Sequence, residues 1–343
     1  MSIGGYLTAA VGGALTITMF VNAGWEAPPI ESVQTGYRGL GMEQNINPRV
    51  RGADLAATQA SLPEPPWELD TSGDKAGDLY ENVQVLGDLS DDQFNRLMTS
   101  ITEWVSPDQG CAYCHNEENY ADDNLYTKIV SRRMLQMTQY INDGWSDHVG
   151  ATGVTCYTCH RGQPVPANIW FTDPEGGQMA KTLGNRGGQN IAGTEVGLSS
   201  LPTDPLTPFL MNYDNEIRVI SLETFPSPDH RKSIKQAEWT YGLMMHMSTS
   251  LGVNCTYCHN TRSFYDWDQS TPARTVAWHG IQMARDLNES YLIPLGPEYP
   301  DNRLGPLGDA PKASCATCHA GVNKPLYGAQ MAKDYPSLLT SSE

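Results

Sequence analysis

The chain has 343 residues and eight cysteines, and all eight cysteines fall in four pentapeptides of one form. These are Cys111-Ala112-Tyr113-Cys114-His115, Cys156-Tyr157-Thr158-Cys159-His160, Cys255-Thr256-Tyr257-Cys258-His259 and Cys315-Ala316-Thr317-Cys318-His319. Two thiols separated by two residues reach the two vinyl groups on one side of a haem, and the histidine that follows is carried beneath the iron. Paired cysteines also build zinc sites and disulfide frameworks, but neither calls for a histidine directly after every pair. The pattern points to four covalently attached haem c groups, with His115, His160, His259 and His319 each supplying one axial ligand.

A second ligand is sought on the opposite side of each iron. Met98 stands 17 positions before His115, Met134 stands 26 before His160, and Met244 stands 15 before His259. Any one buried methionine is by default a flexible core filler; the case here rests on recurrence. A helix, a loop and then a pentapeptide return the chain antiparallel, so a methionine on the haem-facing stripe of the helix meets the far face of the iron. The fourth unit departs from this plan. Pairing the stretch after the first pentapeptide, CHNEENYADDNLYTKIVSRRMLQM, with the stretch after the third, CHNTRSFYDWDQSTPARTVAWHGIQM, and allowing a short loop gap, sets Met134 opposite Gly280. A glycine there leaves room above the ring for another side chain, and His148 is the histidine without another role. His148 is therefore assigned to the haem held by Cys315 and Cys318. His230, His246 and His279 are its rivals. His246 and His279 lie on helices beside sites already supplied, and His230 lies in the Pro-rich FPSPDH connector.

The elements that must position these ligands are legible as periodicities. DDQFNRLMTSITEWV places Phe94, Leu97, Met98, Ile101 and Val105 on one stripe, with Asp91 and Asp92 favourable at the helix N-terminus. Pro107 and Gly110 then break the helix. TKIVSRRMLQMTQYI and AEWTYGLMMHMSTSL repeat the pattern before the second and third pentapeptides. The expected fold is mainly α with long irregular loops: a multihaem cytochrome of two pseudo-symmetric dihaem halves, related by internal duplication, plus an N-terminal transmembrane helix. The expected segments are a membrane anchor at 1–25, an extended strap at 26–84, a first dihaem half at 85–165, an irregular connector at 166–234, a second dihaem half at 235–322 and a polar C-terminal tail at 323–343. The strap, with APPIES, INPR and LPEPPWE, shows no sustained helical period, and the connector, with GGQMAKTLGNRGGQN, is expected to hold little helix.

Residues 2–25 contain no charged side chain. That is long enough for about 30 Å of hydrocarbon, which needs roughly 20 helical residues. A cleaved signal peptide is the competing reading, but a basic n-region is missing, so an uncleaved anchor with Trp25 at the interface is expected. The net charge is −17, from 22 basic and 39 acidic residues. This argues against nucleic acid as a partner; a basic docking protein would be attracted, although charge alone favours a surface that merely keeps the protein soluble.

If every iron has two protein ligands, three haems are His/Met and one is His/His. No coordination position then remains for a substrate, so the chain is an electron conduit and not an enzyme. Thioether ligation raises reduction potential, which predicts three higher-potential haems and one lower. At this point the chain resembles the tetrahaem cytochrome subunits of purple-bacterial photosynthetic reaction centres. The likeness rests on QTGYRGLGM, the three Met-to-His spacings, the His148 position, WDQSTPARTVAWHGIQMARDLN and the terminal CATCH.

That resemblance implies a periplasmic globular part capping the reaction-centre L and M subunits on the bacterial inner (photosynthetic) membrane. It implies electrons taken from a soluble cytochrome c or a high-potential iron-sulfur protein and passed to the photo-oxidised bacteriochlorophyll special pair. The implied haem order is first, second, fourth, third, with the third nearest the special pair, and Arg274 matches a family arginine beside that haem. Family members often carry a lipid-modified cysteine at the mature N-terminus; Trp25 stands in its place here. The alternatives are a periplasmic multihaem reductase, which would need a haem lacking a distal ligand, or a free-standing quinol-oxidising cytochrome.

Overall fold

The computed structural model of the chain describes residues 3–23, 28–36, 42–173, 193, 196–197, 201–211, 215–220 and 232–340. The described residues are mainly helical, with one small sheet. In chain order the elements are α1 (Ile3–Asn22), β1 (Glu31–Gln34), β2 (Glu43–Ile46), α2 (Pro48–Ser61), α3 (Ala76–Leu79), α4 (Asp91–Val105), α5 (Tyr126–Gly144), α6 (Ser146–Val149), α7 (Cys156–His160), α8 (Thr207–Leu210), α9 (Ile234–Leu251), α10 (Pro272–Leu287) and α11 (Cys315–His319). Short 3-10 turns separate them. Trp25, His230 and the GGQMAKTLGNRGGQN stretch lie outside the described residues.

The long helices start where their capping residues dictate. Ser90 accepts from the Gln93 amide while Gln93 returns a bond to the Ser90 N–H, so α4 opens on a capping box with Asp91 and Asp92 in its first turn. Ser233 and Gln236 cap α9 in the same way, and Pro272 occupies the first turn of α10. α1 buries none of its apolar window. At 1.5 Å per residue its 20 residues span about 30 Å. The Thr8, Thr16 and Thr18 hydroxyls donate to the Gly4, Gly12 and Ala14 carbonyls at 2.8–2.9 Å, which satisfies them without water.

Two cores form. Leu86, Leu97, Trp104, Leu135, Tyr157, Leu326, Tyr335 and Leu338 make one, with Met98 and Ile101 against its edge. Trp170, Leu206, Phe209, Leu210, Leu243, Ile281 and Ala284 make the other, with Met244 against it. The expected stripe on α4 therefore does face a core.

Two expectations are corrected. The strap is not wholly extended, because α2 stands within it, started by Asn47 as N-cap and Pro48 at the first helical position. α2 buries none of its residues, so no apolar stripe marked it. The tail is not wholly a polar end: Ala332 is buried, and Tyr335 and Leu338 are buried in the first core. The connector, expected to hold little helix, has the single turn of α8 among its described residues, with Leu206, Phe209 and Leu210 buried around it.

Candidate haem-binding sites

Each of the four pentapeptide histidines has its Nδ1 fixed by a backbone carbonyl. His115 meets Tyr120 O at 3.3 Å and His259 meets Phe264 O at 2.8 Å, both five residues on. His160 meets Gln163 O at 2.9 Å and His319 meets Val322 O at 3.0 Å, both three residues on. A carbonyl only accepts, so Nδ1 carries the proton and Nε2 keeps its lone pair for a metal. Burial lowers the pKa of all four rings, and pushes His319 down to about 4. Neutral imidazoles with a free Nε2 are what iron ligation requires.

The four sites fall into two local types. The first and third are 3-10 turns, Gly110–Tyr113 and Cys255–Tyr257. In both, a threonine at the start of the next helix donates to the tyrosine carbonyl, Thr127 to Tyr113 O at 2.5 Å and Thr271 to Tyr257 O at 2.6 Å. The second and fourth are the one-turn helices α7 and α11, opened by Thr155–Thr158 and Ser314–Thr317 capping boxes. Both end in a non-glycine residue in the left-handed region, Arg161 at φ 51° and Ala320 at φ 47°. Such a conformation is uncommon outside glycine and gathers at functional sites.

The methionines lie on the expected helices. Met98 is on α4, which packs against both the first-site turn and α7. Met134 is on α5, one turn before Thr138, whose hydroxyl faces the Cys156 thiol; burial pushes that thiol up to about 12. Met244 is on α9, which packs against α11, and lies against the second core.

His148, on α6, is brought directly to the fourth site. Its ring centre lies 6.0 Å from that of His319. A metal bound by two imidazoles at about 2.0–2.1 Å each would separate their ring centres by roughly 6 Å. Val276 O fixes the His148 Nδ1 at 2.9 Å. A Cβ placed on Gly280 would fall 2.5 Å from His148 Cε1 and 2.9 Å from its Nδ1. The glycine is thus the space the ring occupies. Of the rivals, His246 is buried beside Ser250, and His279 stacks edge-on against Trp278.

Arg274 donates to Asp266 O at 3.0 Å and to Ser270 Oγ at 2.8 Å, and its guanidinium lies 4.0 Å over the Trp267 ring. It neighbours Cys258 and His259 at the third site.

The second and fourth sites abut. Arg161 Nη2 donates to Cys318 O at 3.0 Å, and the sulfurs of Cys159 and Cys318 are joined, with Cα atoms 4.5 Å apart; the other six cysteines are free. A sulfur in that bond cannot also hold a vinyl carbon, so disulfide and haem attachment at these two positions are alternatives. The donor set otherwise suits haem. Arg161 Nε is buried without a partner, an orphan donor beside two adjacent sites that a haem propionate would satisfy. Sequence reasoning missed Arg161, which no spacing singled out.

Comparison with known proteins adds to this geometry. The family described as photosynthetic reaction centre cytochrome C subunit matches residues 26–339. A photosynthetic reaction center cytochrome c subunit from Rubrivivax gelatinosus is 53% identical over 97% of this chain and 88% of its own. The like-named protein of Thermochromatium tepidum is 53% identical over 92% of this chain and 76% of its own. That of Roseobacter denitrificans is 45% identical over 98% and 92%.

Proposed function

The chain belongs to the photosynthetic reaction centre cytochrome c subunit family, and from that premise we propose that it carries electrons from a soluble donor to the photo-oxidised special pair through four fully ligated haem c groups. As a member it is an electron-transfer component and not an enzyme, it binds haem c covalently, and it associates with the reaction centre and so with the photosynthetic membrane. Haem c, when bound, supplies reversible one-electron chemistry.

The chain's own residues do the holding. Cys111 and Cys114, Cys156 and Cys159, Cys255 and Cys258, and Cys315 and Cys318 would anchor one group each, Cys159 and Cys318 then carrying vinyl carbons in place of their mutual bond. His115 with Met98, His160 with Met134, and His259 with Met244 ligate the first three irons, and His319 with His148 the fourth. The observation that carries this reading is the His148–His319 pair, set 6.0 Å apart across a face that Gly280 keeps open. It leaves the fourth iron closed to a substrate, which argues against the reductase alternative.

The paired turns and paired one-turn helices support two pseudo-symmetric dihaem halves joined where α7 meets α11. That junction favours the order first, second, fourth, third. The β1–β2 hairpin supports a membrane-proximal third site. It begins nine residues after α1 ends, and Glu43 O accepts from Asn254 Nδ2 and Thr256 Oγ1 at 3.0 Å each. With the globular part in the periplasm on the L and M subunits, Arg274 would stand beside the haem nearest the special pair. Arg161 would meet a propionate at the second–fourth junction. The donor would be a small basic cytochrome c or a high-potential iron-sulfur protein.

Replacing Met98, Met134 or Met244 by leucine tests the ligand set. Each variant should lower the potential of one haem and remove its thioether-to-ferric charge-transfer band. Unchanged potentials in all three would refute the assignment.

A further inference from the structure

Two asparagines outside the ligand set occupy the same place in the two halves. Asn142 stands eight residues after Met134 on α5, and Asn288 eight residues after Gly280, at the C-terminal cap of α10. Asn142 Nδ2 donates to Val154 O at 3.0 Å and to Leu338 O at 2.6 Å, and its Oδ1 accepts from Val154 N at 2.7 Å. Asn288 Nδ2 donates to Ala313 O and to Leu210 O at 3.0 Å each, and its Oδ1 accepts from Ala313 N at 2.8 Å. Val154 and Ala313 each lie two residues before the first cysteine of a haem site. Leu338 and Leu210 come from the tail and the connector, which are unrelated in chain position. Three residues earlier on each helix a second bond repeats the match: Gln139 Nε2 donates to Ser337 O and Arg285 Nε to Phe209 O.

Each carboxamide thus uses both its donors and its acceptor to tie three segments to one point. One segment is the helix bearing Met134 or Gly280, one is the irregular stretch entering the second or fourth site, and one is a loop that closes the core. Eight helical residues rise about 12 Å, so this point fixes how high the distal position stands above the proximal histidine. In the first half the distal position is Met134 against His160. In the second it is Gly280 with Val276 O, which hold His148 against His319.

We propose that Asn142 and Asn288 are positioning residues, each setting the distance across one haem site by bonding its distal helix to the segment that enters the proximal motif. The proposal deepens the ligand reading above and rests on it. Asn→Leu keeps the approximate size and removes all three bonds, leaving the Val154 or Ala313 backbone groups without partners.

The test is a redox titration of the haem-loaded protein, resolved haem by haem, with haem content confirmed for each variant. Asn142→Leu should lower the potential of the second haem and weaken its thioether charge-transfer band while the other three potentials hold. Asn288→Leu should shift the fourth haem alone and alter its low-spin ferric resonance. The unaffected haems report in the same molecule that the protein is folded. Equal drift of all four potentials, or no change at the second haem where Met134→Leu does change it, overturns the positioning role and leaves the ligand reading intact. No change in Met134→Leu either would instead remove the reading on which the proposal stands.

Discussion

A methyl group at position 280 sets two effects against each other. Helix propensity favours alanine over glycine in a helix interior by roughly 1 kcal/mol. The added Cβ, however, would lie 2.5 Å from His148 Cε1, and the ring cannot retreat, since Val276 O holds one side and His319 faces the other. Overlap wins. Gly280→Ala is expected to change the potential and the ferric resonance of the fourth haem and to leave the other three alone, measured by redox titration and electron paramagnetic resonance. At the same scale, Arg161 Nε is a buried donor without an acceptor. Arg161→Leu is expected to shift the potentials of the second or fourth haem downward, because a propionate would lose its positive partner; the same titration reads it. The sequence marked Gly280 and His148 because a missing methionine leaves a gap that something must fill. It did not mark Arg161, because a lone arginine after a histidine carries no spacing to compare.

Elements with an apolar stripe and a cap were legible in the sequence, and those without either were not. α4 announces itself by Leu97, Met98 and Ile101 at helical spacing and by Asp91 and Asp92 in its first turn. α2 has its Asn47-Pro48 start but buries nothing, so its residues are constrained by propensity and capping and not by a hydrophobic face. The tail was hidden for the opposite reason. Tyr335 and Leu338 are buried, but Tyr335 stands between two short 3-10 turns, Ala332–Asp334 and Pro336–Leu338, and Leu338 ends the second, so no period develops. Ser100 Oγ meets Tyr335 Oη at 2.8 Å, Trp104 packs edge-on against the Tyr335 ring at 4.7 Å, and Arg96 Nη1 donates to Asp334 O at 2.7 Å. Leu338 is fully buried, and Leu338→Ala is expected to destabilise the protein by about 2–5 kcal/mol. Denaturant unfolding checks this: a midpoint indistinguishable from that of the parent chain would show that the tail is not part of the first core. Tyr335 and Leu338 complete the first core as Leu206, Phe209 and Leu210 complete the second.

Over the whole molecule, a net charge of −17 sets up a field that outlasts any single contact. A basic donor would be steered toward it, and the gain in association rate is lost as salt shortens the Debye length to about 10 Å at 0.1 M. Electron transfer from a basic cytochrome c is expected to slow by about tenfold or more between low and physiological salt, measured by stopped flow or flash kinetics; a salt-independent rate would assign the acidic excess to solubility alone. The two cores, the paired sites and the apolar helix α1 fit the proposed conduit, one that would stand on a membrane and be closed to small molecules. Flash spectroscopy on native membranes tests that description most directly. A single flash should bleach the absorption band of one haem c at the rate at which the photo-oxidised special pair recovers, with carbon monoxide leaving the haem spectrum unchanged. Recovery of the special pair without any haem oxidation, or a haem that binds carbon monoxide, would contradict it.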